Sequence, residues 1–188
     1  MNMPLDTQLF DRAAIFAIKA HAGTERRGKA FPYIIHPMEA ASIVSSITND
    51  PELLAAAILH DTIEDTDVTE EQIRNEFGDR VAILVKNETS QMPKGTPWRT
   101  KRQSQIAIIV AASRDSKIVA IGDKLSNMRA IANDYSIIGD EVFNRFHAPN
   151  GKMDIEWYYR ELANALQELN DTLPYKEFLS LIDKTFSD

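Results

Sequence analysis

Residues 53–66, LLAAAILHDTIEDT, constrain the fold more than any other part of the chain. The first seven are Leu, Ala and Ile, and Leu and Ala are strong helix formers. At ~100° per residue, a helix through 53–59 is apolar on every side, which is the pattern of a buried helix. The stretch then places His60, Asp61, Glu64 and Asp65 within six residues. Continued as one helix, it stacks His60 over Glu64 and Asp61 over Asp65, each pair four residues apart. Three carboxylates and an imidazole would extend a buried face, where unpaired charge is costly. A metal cation is the simplest way to neutralise them.

Composition narrows the function. The chain has 188 residues, 44% of them hydrophobic, enough for a substantial core in one domain spanning 1–188. With no cysteine there is neither a disulfide framework nor a thiolate ligand or nucleophile. No apolar run has the length of a transmembrane helix, and the N-terminus lacks a basic-then-apolar leader, so a cytoplasmic protein without membrane contact is expected. A net charge of −7 opposes general nucleic-acid binding. Two basic clusters, Arg26, Arg27 and Lys29, then Lys94, Arg99, Lys101 and Arg102, still leave room for a small phosphorylated ligand. Composition leaves a homo-oligomer open.

Start and stop signals predict an all-α chain of roughly eight to ten helices. The first runs from Asp6 or Thr7 to about Ala22, ended by Gly23. The next carries Pro37 at its first turn and His36 at its entry, and runs to about Ile47. Pro51 opens the helix of the 53–66 stretch. Thr69 caps a helix that ends at Phe77 and Gly78, and another spans about 79–88. A loop covers 90–99, followed by helices over about 102–113 and 117–132, the second broken at Gly122. Residues 138–153 have no clear pattern. Helices over 156–172 and 174–186 close the chain. No Gly-rich nucleotide-binding motif appears.

The second chemical signal is Asp123, set among Ile118, Val119, Ala120, Ile121 and Leu125, with Asn127 four residues on along the same strip. His36, His60, Asp61 and Asp123 together make two imidazoles and two carboxylates, a ligand set suited to Mn, Fe or Zn more than to Mg or Ca. Four protein ligands leave positions for water and a phosphate oxygen. The metal would lower the pKa of that water and polarise phosphorus. Glu64 and Asp65, one turn on, are placed to orient or deprotonate it. Acids at a helix C-terminus oppose the macrodipole, which favours a functional role for them. His21 and His147 are expected to be ordinary structural histidines.

The order His36, His60-Asp61, Asp123 resembles the HD-domain superfamily of metal-dependent phosphohydrolases. Three longer segments are similar to the RelA/SpoT hydrolase domain: Arg27 with 32–37 (PYIIHP), 59–66 (LHDTIEDT) and 123–129 (DKLSNMR). The likeness covers about 21–169 and is to the stand-alone small alarmone hydrolases of bacteria and metazoa. It implies an all-α HD-domain bundle, a Mn²⁺ cofactor, and removal of the 3′-pyrophosphate from ppGpp and pppGpp to give GDP and GTP. Carried over by position, His36, His60, Asp61 and Asp123 would hold the metal and Glu64 and Asp65 would act on water. Arg27 would stack on the guanine base, Asn127 would contact substrate near the metal, and Lys101 and Arg102 would meet phosphate. Gly28 and Ala130 depart from the family pattern and bear on substrate identity. The alternatives are ppApp, the 2′-phosphate of NADPH, or a binding module without turnover.

Overall fold

The computed structural model describes residues 7–26, 28–89, 92, 93 and 95–187. Their regular structure is helical. The α-helices are α1 Thr7–Ala20, α2 Ile35–Ser45, α3 Pro51–Leu59, α4 Thr62–Asp65, α5 Glu70–Phe77, α6 Asp79–Glu88, α7 Trp98–Ala111, α8 Arg114–Ile138, α9 Lys152–Ala165 and α10 Leu173–Phe186. Two 3₁₀ segments, Gly139–Phe146 and Gln167–Leu169, flank α9. Among the described residues the only extended pairing is an isolated bridge between Glu25 and Pro32. The all-α expectation holds.

Local chemistry explains most boundaries. Asp50 caps α3, its carboxylate accepting from Glu52 N at 2.9 Å and Leu53 N at 3.4 Å, with Pro51 at the first helical position. Thr69 and Gln72 form a reciprocal capping box on α5. Gly78, at φ 91°, makes the turn from α5 into α6 that a side chain would resist. Asp154 draws the start of α9 back to Lys152, four residues before the expected position, by accepting from Asn150 N at 2.9 Å and Arg99 Nη1 at 2.9 Å. Ile106 and Trp98 pack on the core, so α7 likewise begins four residues early.

The main correction concerns residues 53–66, which do not form one helix. His60 Nδ1 bonds the Ala57 carbonyl at 2.8 Å, and Thr62 Oγ1 donates to the Leu59 carbonyl at 2.7 Å. Side chains thus take the carbonyls that the next backbone turn would have used. Asp61, at φ −94° and ψ −4°, turns the chain, and α4 restarts with Asp65 N bonded to Asp61 O at 2.9 Å. The apolar part is buried as expected: Ala55, Ala56, Ala57, Ile58 and Leu59 are at most 1% exposed. The acidic part does not continue that face. Asp61 is half-buried, and Glu64 and Asp65 are exposed.

α8 is the axis of the fold. It runs unbroken through Gly122, contrary to expectation, and on to Ile138. Gly122 serves close packing: a Cβ there would lie 2.8 Å from the Ala40 carbonyl oxygen and 2.8 Å from Val44 Cγ2. That lets α2 press directly on α8. α3 packs on α1, α2, α6 and α8, and α10 covers another side of α8. His36 on α2, His60 after α3 and Asp123 on α8 therefore arrive at one place. No helix among the described residues is long and apolar enough to cross a membrane.

Candidate metal centre

His36 Nε2 lies 3.4 Å from Asp61 Oδ2 and 3.1 Å from Asp123 Oδ1. His60 Nε2 lies 2.9 Å from Asp61 Oδ2 and 3.6 Å from Asp123 Oδ1. All four residues expected as ligands thus converge. Ligand atoms of His36, His60 and Asp61 fall within 4.8 Å of one another. His60 is 1% exposed, and its Nε2, despite the nearby carboxylate, makes no hydrogen bond of acceptable geometry. Its Nδ1 faces the Ala57 carbonyl, which can only accept, so Nδ1 carries a proton and Nε2 is the nitrogen turned to the cluster.

The electrostatics call for positive charge at this point. Burial disfavours a charged His60, but Asp61 and Asp123 outweigh it and raise its pKa well above the ordinary imidazole value. Burial pushes Asp123 up, yet Lys124 and the two imidazoles hold it well below the usual carboxylate range. The same balance, with His60 as the main opposing charge, keeps Asp61 low. A divalent cation would meet this demand with no imidazole proton. The residues fit such an ion in donor type and convergence, with His36, His60 and Asp61 as the tight group and Asp123 beside both imidazoles.

Other side chains hold the cluster in place. The Tyr33 hydroxyl lies 2.6 Å from Asp61 Oδ2 and 2.9 Å from Asp65 Oδ2. Asn127 donates to Asp123 Oδ1, and Arg26 Nη2 donates to Asn127 Oδ1. Lys124 pairs with Asp123 Oδ2 and reaches Glu88 at 3.4 Å. Glu88 is raised by burial, only partly countered by Lys124. Asp65, though open to solvent on one side, is raised by partial loss of water and by the charge of Asp61.

The cluster floors a cavity of about 480 Å³. Glu64, Asp65, Asn127 and Arg102 line it. The Arg102 guanidinium lies over Tyr158 at 4.9 Å and Trp98 at 5.3 Å. Lys101 stands outside the cavity wall and pairs with Glu64 at 3.2 Å. Arg27 lies outside the described residues. Its neighbour Arg26 lines the cavity and sits over the Tyr33 ring at 5.4 Å. Lys29 and Arg145 join the same wall, both paired with Asp134. Of the histidines set aside, His21 is buried against Tyr33 with neither ring nitrogen bonded, and burial lowers its pKa. Sequence reasoning missed Tyr33, Lys124 and Glu88. The first two stand inside the quoted motifs, and Glu88 has no local signal.

Residues 13–146 match the model of the HD domain family. The chain is 39% identical over 125 residues to a guanosine-3′,5′-bis(diphosphate) 3′-pyrophosphohydrolase of Haemophilus influenzae, covering 63% of this chain and 18% of that one. It is 32% identical to a GTP pyrophosphokinase of Brucella ovis, over 86% of this chain and 22% of that one. The chain therefore spans about a fifth of the length of these relatives. Among solved structures, a metazoan ortholog of SpoT that hydrolyses ppGpp superposes with a TM-score of 0.76 over 100% of this chain and 99% of its own, at 21% identity. A Listeria monocytogenes protein gives a TM-score of 0.72 at 27% identity, over 81% of this chain and 99% of its own.

Proposed function

The chain belongs to the HD domain family, and from that premise we propose that it is a cytoplasmic, Mn²⁺-dependent enzyme, acting as one domain over 1–188, that hydrolyses ppGpp and pppGpp to GDP and GTP with release of pyrophosphate. The observation that carries the reading is the convergence of the His36 and His60 Nε2 atoms with carboxylates of Asp61 and Asp123 at the floor of a cavity walled by cations. The pyrophosphohydrolase relatives supply the substrate class.

His36, His60, Asp61 and Asp123 would hold the ion, which when bound supplies a Lewis acid beside phosphorus and a water of lowered pKa. The chain's own residues do the rest. Asp65, its proton affinity raised by partial desolvation and by Asp61, takes the proton of the attacking water. Glu64, held by Lys101, orients that water. The Tyr33 hydroxyl keeps Asp65 and Asp61 at a fixed separation despite their repulsion. Arg26, Lys29, Arg102 and Arg145 line the wall against which a polyphosphate would lie. Asn127 holds Asp123 and faces the substrate. A chain of net charge −7 with this local basic wall fits a small nucleotide rather than nucleic acid.

The test incubates purified protein with ppGpp, ppApp and NADPH side by side, with and without Mn²⁺, and identifies the products. Mn²⁺-dependent pyrophosphate and GDP from ppGpp are expected. Metal bound with no pyrophosphate released, or orthophosphate from NADPH as the main product, would sink the assignment.

A further inference from the structure

The second imidazole of the centre is held by a chain of side chains that leads out of the site. His36 Nδ1 lies 2.8 Å from Ser126 Oγ, and Ser126 Oγ lies 2.7 Å from Glu39 Oε2. Glu39 Oε1 accepts from Arg129 Nη1 at 3.1 Å. Arg129 closes a two-pronged pair on Glu177 of α10, Nε and Nη2 each 2.7 Å from a carboxylate oxygen. His36 and Ser126 are buried, at 3% and 1% exposure, whereas Glu39, Arg129 and Glu177 lie nearer the surface.

The donor directions follow from chemistry. Glu39, paired with Arg129, is a carboxylate and can only accept, so the Ser126 hydroxyl donates to it. The oxygen of Ser126 then has only lone pairs left for His36. Nδ1 of His36 must therefore carry a proton, which leaves Nε2, turned to Asp61 and Asp123, as the nitrogen available to an ion. His60 reaches the same state through a backbone carbonyl, which the helix end supplies without help. His36, at the start of α2, has no such carbonyl and depends on side chains from α8 and its own helix.

We propose that Ser126 and Glu39 are positioning residues that lock His36 in its Nδ1-protonated form for metal binding, and that Arg129 and Glu177 anchor Glu39 so that α10 contributes to the stability of the metal site. None of the four touches the reacting atoms. Partners that bond the far nitrogen of a ligating histidine set its tautomer and orientation, and their loss typically lowers metal affinity about 10–100-fold. The device reaches past the HD-matched residues 13–146 into the C-terminal helix.

This inference rests on the metal-site reading, and the experiment separates the two. Mn²⁺ affinity is measured by calorimetry on the full chain and on Ser126→Ala, Glu39→Ala and Glu177→Ala, with circular dichroism to confirm folding. The imidazole tautomer of His36 is read in parallel by ¹⁵N NMR on metal-free protein, at a pH high enough that the ring holds a single proton. Expected are an Nδ1–H signal in the parent, its loss or averaging in Ser126→Ala and Glu39→Ala, and Mn²⁺ affinity reduced about 10–100-fold in those two. A few-fold loss is expected in Glu177→Ala. A parent that binds no Mn²⁺ overturns the metal site itself. A parent that binds it, with Ser126→Ala and Glu39→Ala equally tight or His36 still Nδ1-protonated in both, overturns the positioning role. Unchanged affinity in Glu177→Ala overturns the reach to α10.

Discussion

Asp123 and Glu64 line the same cavity but are proposed for different tasks, and single substitutions separate them. Asp123 Oδ1 turns to both imidazoles, whereas Glu64 stands at the rim against Lys101. Asp123→Ala is expected to lose Mn²⁺ affinity and pyrophosphate release together. Glu64→Ala is expected to bind Mn²⁺ as the parent does while turnover falls about 100-fold or more, the usual worth of a residue that handles a proton or a water. Calorimetry beside a pyrophosphate assay checks both; turnover retained in either variant contradicts the roles. Tyr33→Phe removes only a hydroxyl, yet it leaves Asp61 and Asp65 to repel each other without a shared donor. It should lower turnover about tenfold or more with little change in fold, since each lost kcal/mol of such a charged hydrogen bond counts directly in rate. Product release rates and a melting curve on the same sample decide it. The four converging residues were legible because a histidine and an aspartate on buried helical strips are chemically out of place. Tyr33, Lys124, Glu88 and Ser126 were not, since each acquires its role from a residue about 30 or more positions away, or from the charge of a neighbour, once the helices cross.

At the level of helices, α2 and α8 must touch for His36 and Asp123 to meet, and Gly122 is what permits it. Gly122→Ala gains up to about 1 kcal/mol of helix propensity. It also drives a methyl into the Ala40 carbonyl, and overpacking of this kind costs about 1–3 kcal/mol. The expected net result is a melting temperature lower by several degrees and weaker Mn²⁺ binding, because the helices that carry two of the ligands are pushed apart. A melting curve at or above the parent's, with Mn²⁺ affinity intact, would refute the close-packing account. The same glycine shows why the sequence misled here: a lone glycine in a helical pattern reads equally as a break or as a contact, and only the neighbouring helix decides. α5 and α6 were legible to the residue because the Thr69 capping box and Gly78 act within a few positions. The break after Leu59 was hidden. Composition favours helix throughout, and the side chains that end α3 belong to the site itself.

Across the whole molecule, charge pairs couple distant parts to stability, and a bound metal would do the same. Asp134 on α8 meets Lys29 from the loop before α2 and Arg145 from the first 3₁₀ segment. Burial raises its pKa, but the two cations outweigh this and hold it below the ordinary carboxylate value. A depressed carboxylate contributes stability that is full above the unfolded value, about 3.9, and is lost as pH falls through the folded one. Asp134→Asn should therefore lower the melting temperature at neutral pH and narrow its gap to the parent as pH drops below about 4. An equal gap from pH 7 to 3 would remove Asp134 from the acid response. A bound ion would supply the larger coupling. An ion that binds only the folded chain stabilises it by about 2.7 kcal/mol at a hundred times its Kd. For a chain of this size that raises the melting temperature by roughly 5–11 °C. Two imidazoles among four ligands favour Mn²⁺ over Mg²⁺, which prefers oxygen and keeps its water. Melting curves should then rise with Mn²⁺ and move much less with Mg²⁺ at equal concentration. His60→Ala, which removes the buried Nε2 that no protein group bonds, should abolish the Mn²⁺ shift. An equal shift in the variant would place the ion elsewhere, and an equal response to Mg²⁺ would mean that oxygen ligands, not the two histidines, dominate the site.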